Sequence, residues 1–286
     1  MIVAETADNL RKVMAPWRSE NESIVFIPTM GNLHEGHLQL VRVARQYGTK
    51  VVASIFVNPM QFDRHDDFTN YLRTQRQDLD MLQEESVDLV FVPDVEEMYP
   101  RAVDKMTYVH VPKLSDMLEG VSRPGHFRGV TTVVTRLFSL VGPNVAIFGK
   151  KDYQQLLIVR RMVEDLGMPI EIIGEPTIRE ADGLAMSSRN NNLNANERKV
   201  APRLYETLQA SRSRIVHGNL AYAEVEADAM RELQEAGFTP DYVQIRRQSD
   251  LLVPEEHETD LVVLAAAWLG KTRLIDNLEL SLNPPD

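Results

Sequence analysis

Short, fully apolar runs recur along the first part of the chain: SIVFIP (23–28), KVVASIFV (50–57), DLVFVP (88–93), NVAIFG (144–149) and PIEIIG (169–174). Runs of this length without alternation fit strands buried on both faces of a parallel sheet. Between most of them lie amphipathic stretches of helical length, LQLVRVARQYG (38–48), TQRQDLDMLQEES (74–86) and LLIVRRMVEDLG (156–167). Strand alternating with helix predicts a doubly wound α/β domain. Beyond about residue 176 the pattern changes. Asn194 followed by Glu197 has the spacing of a capping box and predicts a long helix to about His217, with another near 221–236. DYVQIRR (241–247), DLVVLAAAWL (260–269) and TRLIDNLEL (272–280) then read as strands without intervening helices, so a smaller α+β domain is expected. The step Glu175–Pro176 disfavours helix and marks the boundary, giving domains 1–176 and 177–286. Pro16 should kink the first helix, and the tail NPPD should fray.

Composition narrows the class. A hydrophobic fraction of 43% with 14 glycines is that of a globular chain. The 31 basic and 42 acidic side chains leave a net charge of −11, which repels polyanions, so neither nucleic acid nor an anionic membrane is an expected partner. Cysteine is absent, which removes disulfide frameworks, thiolate zinc sites, iron–sulfur clusters and cysteine nucleophiles. The opening MIVAETADNLRK has no basic segment leading into a long apolar one, and LVVLAAAWLG (261–270) is too short to span a bilayer. A soluble cytoplasmic protein is the expectation.

The candidate chemistry begins where the first run leads into PTMGNLHEGH (28–37), just before a helical pattern. A strand-to-helix turn at the C-terminal edge of a parallel sheet is expected to present unpaired backbone N–H groups and a positive helix dipole to phosphate. Gly31 and Gly36 permit close approach, and His34 and His37, three apart, share one helix face where both can grip one polyphosphate. With 7 His and 14 Gly in 286 residues, HxGH is expected by chance about 0.01 times. The alternative is that the two histidines merely cap the helix. Zinc is disfavoured, because HExxH spaces its histidines four apart. GxGxxG and GxSxG are missing, and GKT at 270–272 lacks the upstream glycine of a P-loop, Ala265 standing there.

Three further clusters fall where the rest of such a site belongs. FVNPMQF (56–62) offers the neutral amides of Asn58 and Gln61 to a carboxylate or hydroxyls. FGKKDYQQ (148–155) brings Lys151, Asp152 and Gln155 to the same sheet edge, and DGLAMSSRN (182–190), beyond the boundary, suits a phosphate-gripping lid.

HEGH followed far downstream by MSSRN resembles the HIGH and KMSKS signatures of the nucleotidylyltransferase superfamily. PTMGNLHEGH, SIFVNPMQF, RPGHFRGV, FGKKDYQQL and DGLAMSSRN together resemble the pantothenate synthetase (pantoate–beta-alanine ligase) family, from the first strand to Asn277. The resemblance implies a Rossmann-like N-terminal domain, a C-terminal α+β lid domain, a homodimer, and ATP with Mg²⁺. It implies condensation of pantoate with beta-alanine through a pantoyl adenylate, without a covalent enzyme intermediate. The ATP contacts it implies are Met30, Gly31, Asn32, Leu33, His34, Glu35, Gly36, His37, Gly149, Lys150, Lys151, Asp152, Ile178, Met186, Ser187, Ser188 and Arg189. Among these, His34, His37, Lys151, Ser187, Ser188 and Arg189 carry the chemistry. Gln61 and Gln155 hold pantoate, Gln61 also lies near beta-alanine, and Asp152 takes a ribose hydroxyl or sits by Mg²⁺. Arg123, His126 and Arg128 of RPGHFRGV form a loop walling the pocket, or a structural turn. Lys150 departs from the family, which usually has an acidic residue there. Two rivals stay open: a transferase joining AMP to a phosphorylated acceptor, which would need a further basic pocket, and an ATP-binding module without chemistry.

Overall fold

The computed structural model describes residues 1–62, 68–69, 71–218, 221–255 and 257–282. The tail NPPD lies outside the described residues. The chain divides into two units, Met1–Lys150 with Gln154–Pro176, and Lys151–Tyr153 with Thr177–Asp286.

Unit 1 is built on a six-stranded parallel sheet: β1 (Ile2–Ala4), β2 (Ile24–Thr29), β3 (Lys50–Ile55), β4 (Leu89–Phe91), β5 (Val145–Gly149) and β6 (Glu171–Glu175), in the order β1-β4-β3-β2-β5-β6. Its longer helices are α1 (Ala7–Ser19), α2 (Glu35–Ala44), α3 (Gln75–Glu84), α4 (His126–Val141) and α5 (Tyr153–Asp165). Both faces of the sheet are covered at its centre, which is why β2 to β5 are mostly apolar, while the edge strands β1 and β6 are more exposed. Val25, Ile27, Val51, Ala53, Val90 and Ile147 pack with Leu40, Val41 and Ala44 of α2 and with Leu82 of α3. On the alternate positions, Phe26 and Phe148 meet the Phe138 ring of α4 edge-on. The chain leaves β2 for β3 on one side, while β5 continues to β6 on the other. The C-terminal ends of β2 and β5 are therefore a topological switch point, the usual seat of a ligand in such sheets.

Three points of the structure bear on the sequence reading. The edge strand β1 is too short to register as an apolar run. RPGHFRGV is not mainly a loop, because only the turn ending at left-handed Gly125 precedes α4, and His126 already opens that 16-residue helix. Its β-branched run TTVV argues for a strand, and burial of Val130, Val133, Val134, Leu137 and Phe138 overrides that propensity. Pro16 lies in the last turn of α1, which runs on to Ser19.

Unit 2 contains α6 (Ala195–Val200), α7 (Arg203–His217), α8 (Tyr222–Glu235) and an antiparallel sheet of β7 (Thr239–Arg247), β8 (Asp260–Leu269) and β9 (Thr272–Ser281) in that order. The Asn194–Glu197 capping box forms, but the long helix it was expected to open breaks at Ala201–Pro202, since Pro202 has no N–H to continue the ladder. Leu204 and Leu208 of α7, Val225 and Leu233 of α8, and Val243, Val263 and Leu274 of the sheet form the unit's core.

Candidate active site

In unit 1 the loop between β2 and α2 is held mostly by its own polar groups. Thr29 Oγ1 donates to Ser54 O at 2.7 Å and accepts from Gly31 N at 3.1 Å. Gly31 turns with φ +76°, and a Cβ there would stand 2.8 Å from an Asp78 carboxylate oxygen. That carboxylate, on α3 and almost wholly buried, accepts Asn32 N at 2.9 Å and Leu33 N at 2.8 Å. His34 is the N-cap of α2. Its Nδ1 accepts Gly36 N at 3.2 Å, and His37 Nδ1 accepts His34 N at 3.3 Å.

This corrects one expectation and bears out the helix-capping alternative. The N–H groups of Gly31, Asn32, Leu33, His34 and Gly36 are taken within the protein, and those of His37 and Leu38 go to His34 O. The loop is thus not a nest of unpaired backbone donors. Because each ring accepts at Nδ1, the neutral imidazoles carry their proton on Nε2. Both residues cap the helix, and their rings lie 4.1 Å apart.

Beside the loop, the single turn Pro59–Gln61 after β3 carries a buried amide array. Asn58 donates to Gln61 Oε1 at 2.9 Å and to Gly129 O at 3.1 Å, and its Oδ1 accepts Tyr99 OH at 2.7 Å and Met60 N at 3.2 Å. Burial pushes the Tyr99 phenol well above its ordinary range, so it stays a donor. Gln61 Nε2 is thereby turned to Met30, 3.0 Å from its sulfur. Gly129 admits the turn against α4, since a Cβ there would fall 2.3 Å from Met60 O. Arg123 and His126 donate to Gln61 O, at 3.3 and 2.8 Å, so both brace the turn.

The C-terminal end of β5 carries Gly149 and Lys150. A Cβ on Gly149 would meet open space, so nothing in the protein itself requires glycine there. In α5 the pair Gln154–Gln155 divides: Gln154 is buried, donating to Leu114 O and Met117 O at 2.7 and 2.8 Å, while Gln155 is half-buried.

Unit 2 has its own recess. Lys151, Ser187, Arg189, Arg273 and Asp276 are among its lining residues. Asn277 Nδ2 donates to Lys151 O at 2.9 Å, fixing that backbone. Lys151 Nζ stands 4.0 Å from Asp152 Oδ1, and Arg273 pairs with Asp241 at 2.6 Å. The segment around Met186 is a hairpin in which Met186 N donates to Ile178 O at 2.9 Å and Arg179 bridges Ala185. Arg179 clamps the hairpin to β9 through a two-pronged bond to Asp276, at 2.6 and 3.0 Å, and lies over the Tyr205 ring. Burial pushes the Asp276 carboxyl up, and Arg179 opposes that. Ser187 caps the following turn by accepting Arg189 N at 3.3 Å. Lys151 and Arg189 bring positive charge to this recess, which Asp276 also lines and whose third cation, Arg273, is held by Asp241.

A family model of pantoate-beta-alanine ligase matches residues 2–279. The chain belongs to the pantoate–beta-alanine ligase family. It is 53% identical over 276 residues to the pantothenate synthetase of Photobacterium profundum, covering 96% of this chain and 94% of that one. A crystal structure of pantothenate synthetase from Thermus thermophilus superposes with a TM-score of 0.91 at 45% identity, over 99% of this chain and 100% of that one. A pantoate-beta-alanine ligase from Francisella tularensis, complexed with beta-gamma ATP and beta-alanine, has a TM-score of 0.82 at 31% identity over the whole of both chains.

Of the residues that the ligase resemblance singles out, Met30 to His37, Gln61, Gly149, Lys150 and Gln155 lie in unit 1. Lys151, Asp152, Ile178, Met186, Ser187, Ser188 and Arg189 lie in unit 2. The structure joins Met30 to Gln61 by contact and gathers Lys151, Ser187 and Arg189 around one recess. Sequence reasoning missed Asp78, Tyr99, Arg179, Asp276 and the tie from Asn277. Asp78 left a signal: it sits four residues before the buried Leu82, a carboxylate on the apolar face of its helix.

Proposed function

We propose that this chain is the ATP-dependent ligase that condenses (R)-pantoate with beta-alanine, releasing AMP and pyrophosphate. The observation that carries this reading is the contact between Gln61 and Met30, which sets a buried amide array against the histidine-capped loop within one unit. An acid subsite touching a phosphate subsite is what the first step requires. The pantoate carboxylate attacks the α-phosphorus of ATP, an O–P bond forms, and the bond to the β-phosphate oxygen breaks to release pyrophosphate. The beta-alanine amine then attacks the acyl carbon of the pantoyl adenylate, AMP leaves, and the amine loses a proton. Both steps depend on positioning, which contributes on the order of 7–11 kcal/mol when two reactants are held in attacking geometry.

In this reading His34 and His37 donate from Nε2 to the phosphates, Lys151 supplies charge to the phosphoryl oxygens, and Ser187, Ser188 and Arg189 supply charge and donors to the polyphosphate from the C-terminal domain. Met30 to Leu33, Glu35, Gly36, Gly149, Lys150, Ile178 and Met186 border the nucleotide. Gln61 and Gln155 orient pantoate, and Gln61 lies by beta-alanine. Neutral amides suit this task because they align a carboxylate without the charge pairing that blunts its attack. Domain 1–176 then binds nucleotide and pantoate, and 177–286 acts as a lid.

Among the described residues no group of three or more His, Asp or Glu could hold a metal. The Mg²⁺ that the family resemblance implies would be carried mainly by substrate phosphates and water, with Asp152, half-exposed, as the carboxylate that would hold it. When bound, the ion neutralises charge on the polyphosphate. Among the described residues no helix is long and apolar enough to cross a membrane. The family resemblance adds a homodimer and a cytoplasmic location to the proposal, which sedimentation and cell fractionation test.

ATP–pyrophosphate exchange decides the main reading. Exchange should require pantoate and not beta-alanine, and adding beta-alanine should yield pantothenate and AMP. Production of ADP and free phosphate would refute the adenylate route.

A further inference from the structure

Asp78 accepts from three donors within unit 1: Asn32 N at 2.9 Å, Leu33 N at 2.8 Å, and the Thr74 hydroxyl, shared between its two oxygens at 3.1 and 3.2 Å. It is 1% exposed, yet it sits on the apolar face of α3, where a leucine would serve packing alone. A buried carboxylate is tolerated only where donors surround it, so this one is there for the donors it collects. Two of those donors are successive N–H groups of the loop that leads into His34. Asn32 itself is left-handed, with φ 51°, and Gly31 leaves no room for a side chain beside the carboxylate. The loop therefore adopts a turn that this carboxylate stabilises.

We propose that Asp78 is a positioning residue for the nucleotide subsite: it locks residues 31–33 so that His34 and His37 meet the ATP phosphates in fixed geometry. The inference rests on the reading of that loop as the phosphate cradle. An electrostatic argument makes its sign distinctive. A negative charge close to a polyphosphate weakens binding, so a carboxylate acting by charge alone would, when neutralised, improve ATP binding. A positioning carboxylate gives the opposite result. Asparagine fills the same volume but offers one acceptor oxygen and turns an amide donor toward the other N–H, so it cannot satisfy both Asn32 and Leu33.

The test is Asp78→Asn in the full chain, read in two ways. Amide hydrogen exchange in the ligand-free protein reports the loop, and steady-state kinetics with ATP or pantoate varied report the subsites. The expected result is faster exchange across residues 31–37 together with a fall in kcat/KM for ATP on the order of 10²-fold, the cost of displacing a positioned group by about 1 Å. The KM for pantoate should stay where it was. Unchanged exchange, tighter ATP binding, or equal losses toward ATP and pantoate would each overturn the proposal. Loosened amides with unmoved ATP kinetics would overturn it through the reading beneath it, by showing that the loop is clamped but does not hold the nucleotide. If Asp78→Asn does not fold, Thr74→Val removes one donor from the same carboxylate and should give the same pattern at smaller amplitude.

Discussion

Asn58→Asp is the sharpest probe of how the acid subsite is oriented. The change keeps the shape and both accepted bonds, from Tyr99 OH and Met60 N, but removes the donor that Asn58 directs at Gln61 Oε1 and Gly129 O, 2.9 and 3.1 Å away. Two buried carbonyl oxygens then face a carboxylate oxygen. At roughly 1–3 kcal/mol for each buried group left unsatisfied, the strain is about 2–6 kcal/mol. Gln61 can relieve half of it by rotating its amide, so that Nε2 donates to the new carboxylate and Oε1 turns toward Met30. The substrate carboxylate would then meet an acceptor where it had met a donor. Losing one hydrogen bond to a charged group, about 1.5–3 kcal/mol, corresponds to roughly a ten- to hundredfold weaker hold on pantoate. The assay is calorimetric titration of the variant with pantoate and with ATP, alongside its melting temperature. Burial holds the Tyr99 phenol protonated well above its ordinary range, so moderate changes of assay pH leave this donor in place. A variant that melts earlier but binds pantoate normally would refute the assignment of Gln61, and so would equal weakening toward ATP.

Two further outcomes follow from the site as described. Lys151→Ala should slow adenylation by about 10²–10³-fold in single-turnover assays, the scale of one lost preorganised donor, and Lys150→Ala should cost less; equal losses would overturn the choice between the two lysines. Gln155→Ala should weaken pantoate binding by about 1–3 kcal/mol with ATP affinity nearly unchanged, while His34→Ala should do the reverse. Titration of each variant with both ligands checks this, and lost ATP binding with unaltered pantoate affinity in the Gln155 variant would place the acid pocket on the wrong side of the sheet edge.

What could be read from the chain is what periodicity controls. Five runs fell on β2 to β6: β2 to β5 are mostly apolar because both faces of the sheet are covered there, whereas β6, at the sheet edge, is less buried and carries Glu171 and Glu175. The motifs could be placed at strand ends for the same reason. What resisted reading depends on partners remote in sequence. Nothing near Asp78 tells that its oxygens meet Asn32 and Leu33, 46 and 45 residues away, and nothing near Arg179 points to Asp276, 97 residues on. The helix α4 was hidden by β-branched residues whose local preference is overruled once they are packed against the sheet.

Adjacent residues of one type show a finer limit. Gln154 and Gln155 stand side by side in FGKKDYQQ, yet the first donates to two carbonyls and accepts Glu119 N at 3.1 Å, while the second stays half-buried without that burden. Asn58 and Gln61 divide in the same manner: Asn58 spends its whole amide on holding the turn, and so fixes which end of the Gln61 amide faces Met30. At the head of α2 the division falls within single side chains, since each histidine gives one nitrogen to the backbone and carries its proton on the other. A side chain whose polar atoms all serve the fold cannot also grip a ligand, and one with none so engaged is poorly held. The precision of such a site depends on which polar atoms the fold commits, a property of hydrogen-bond partners and not of residue type.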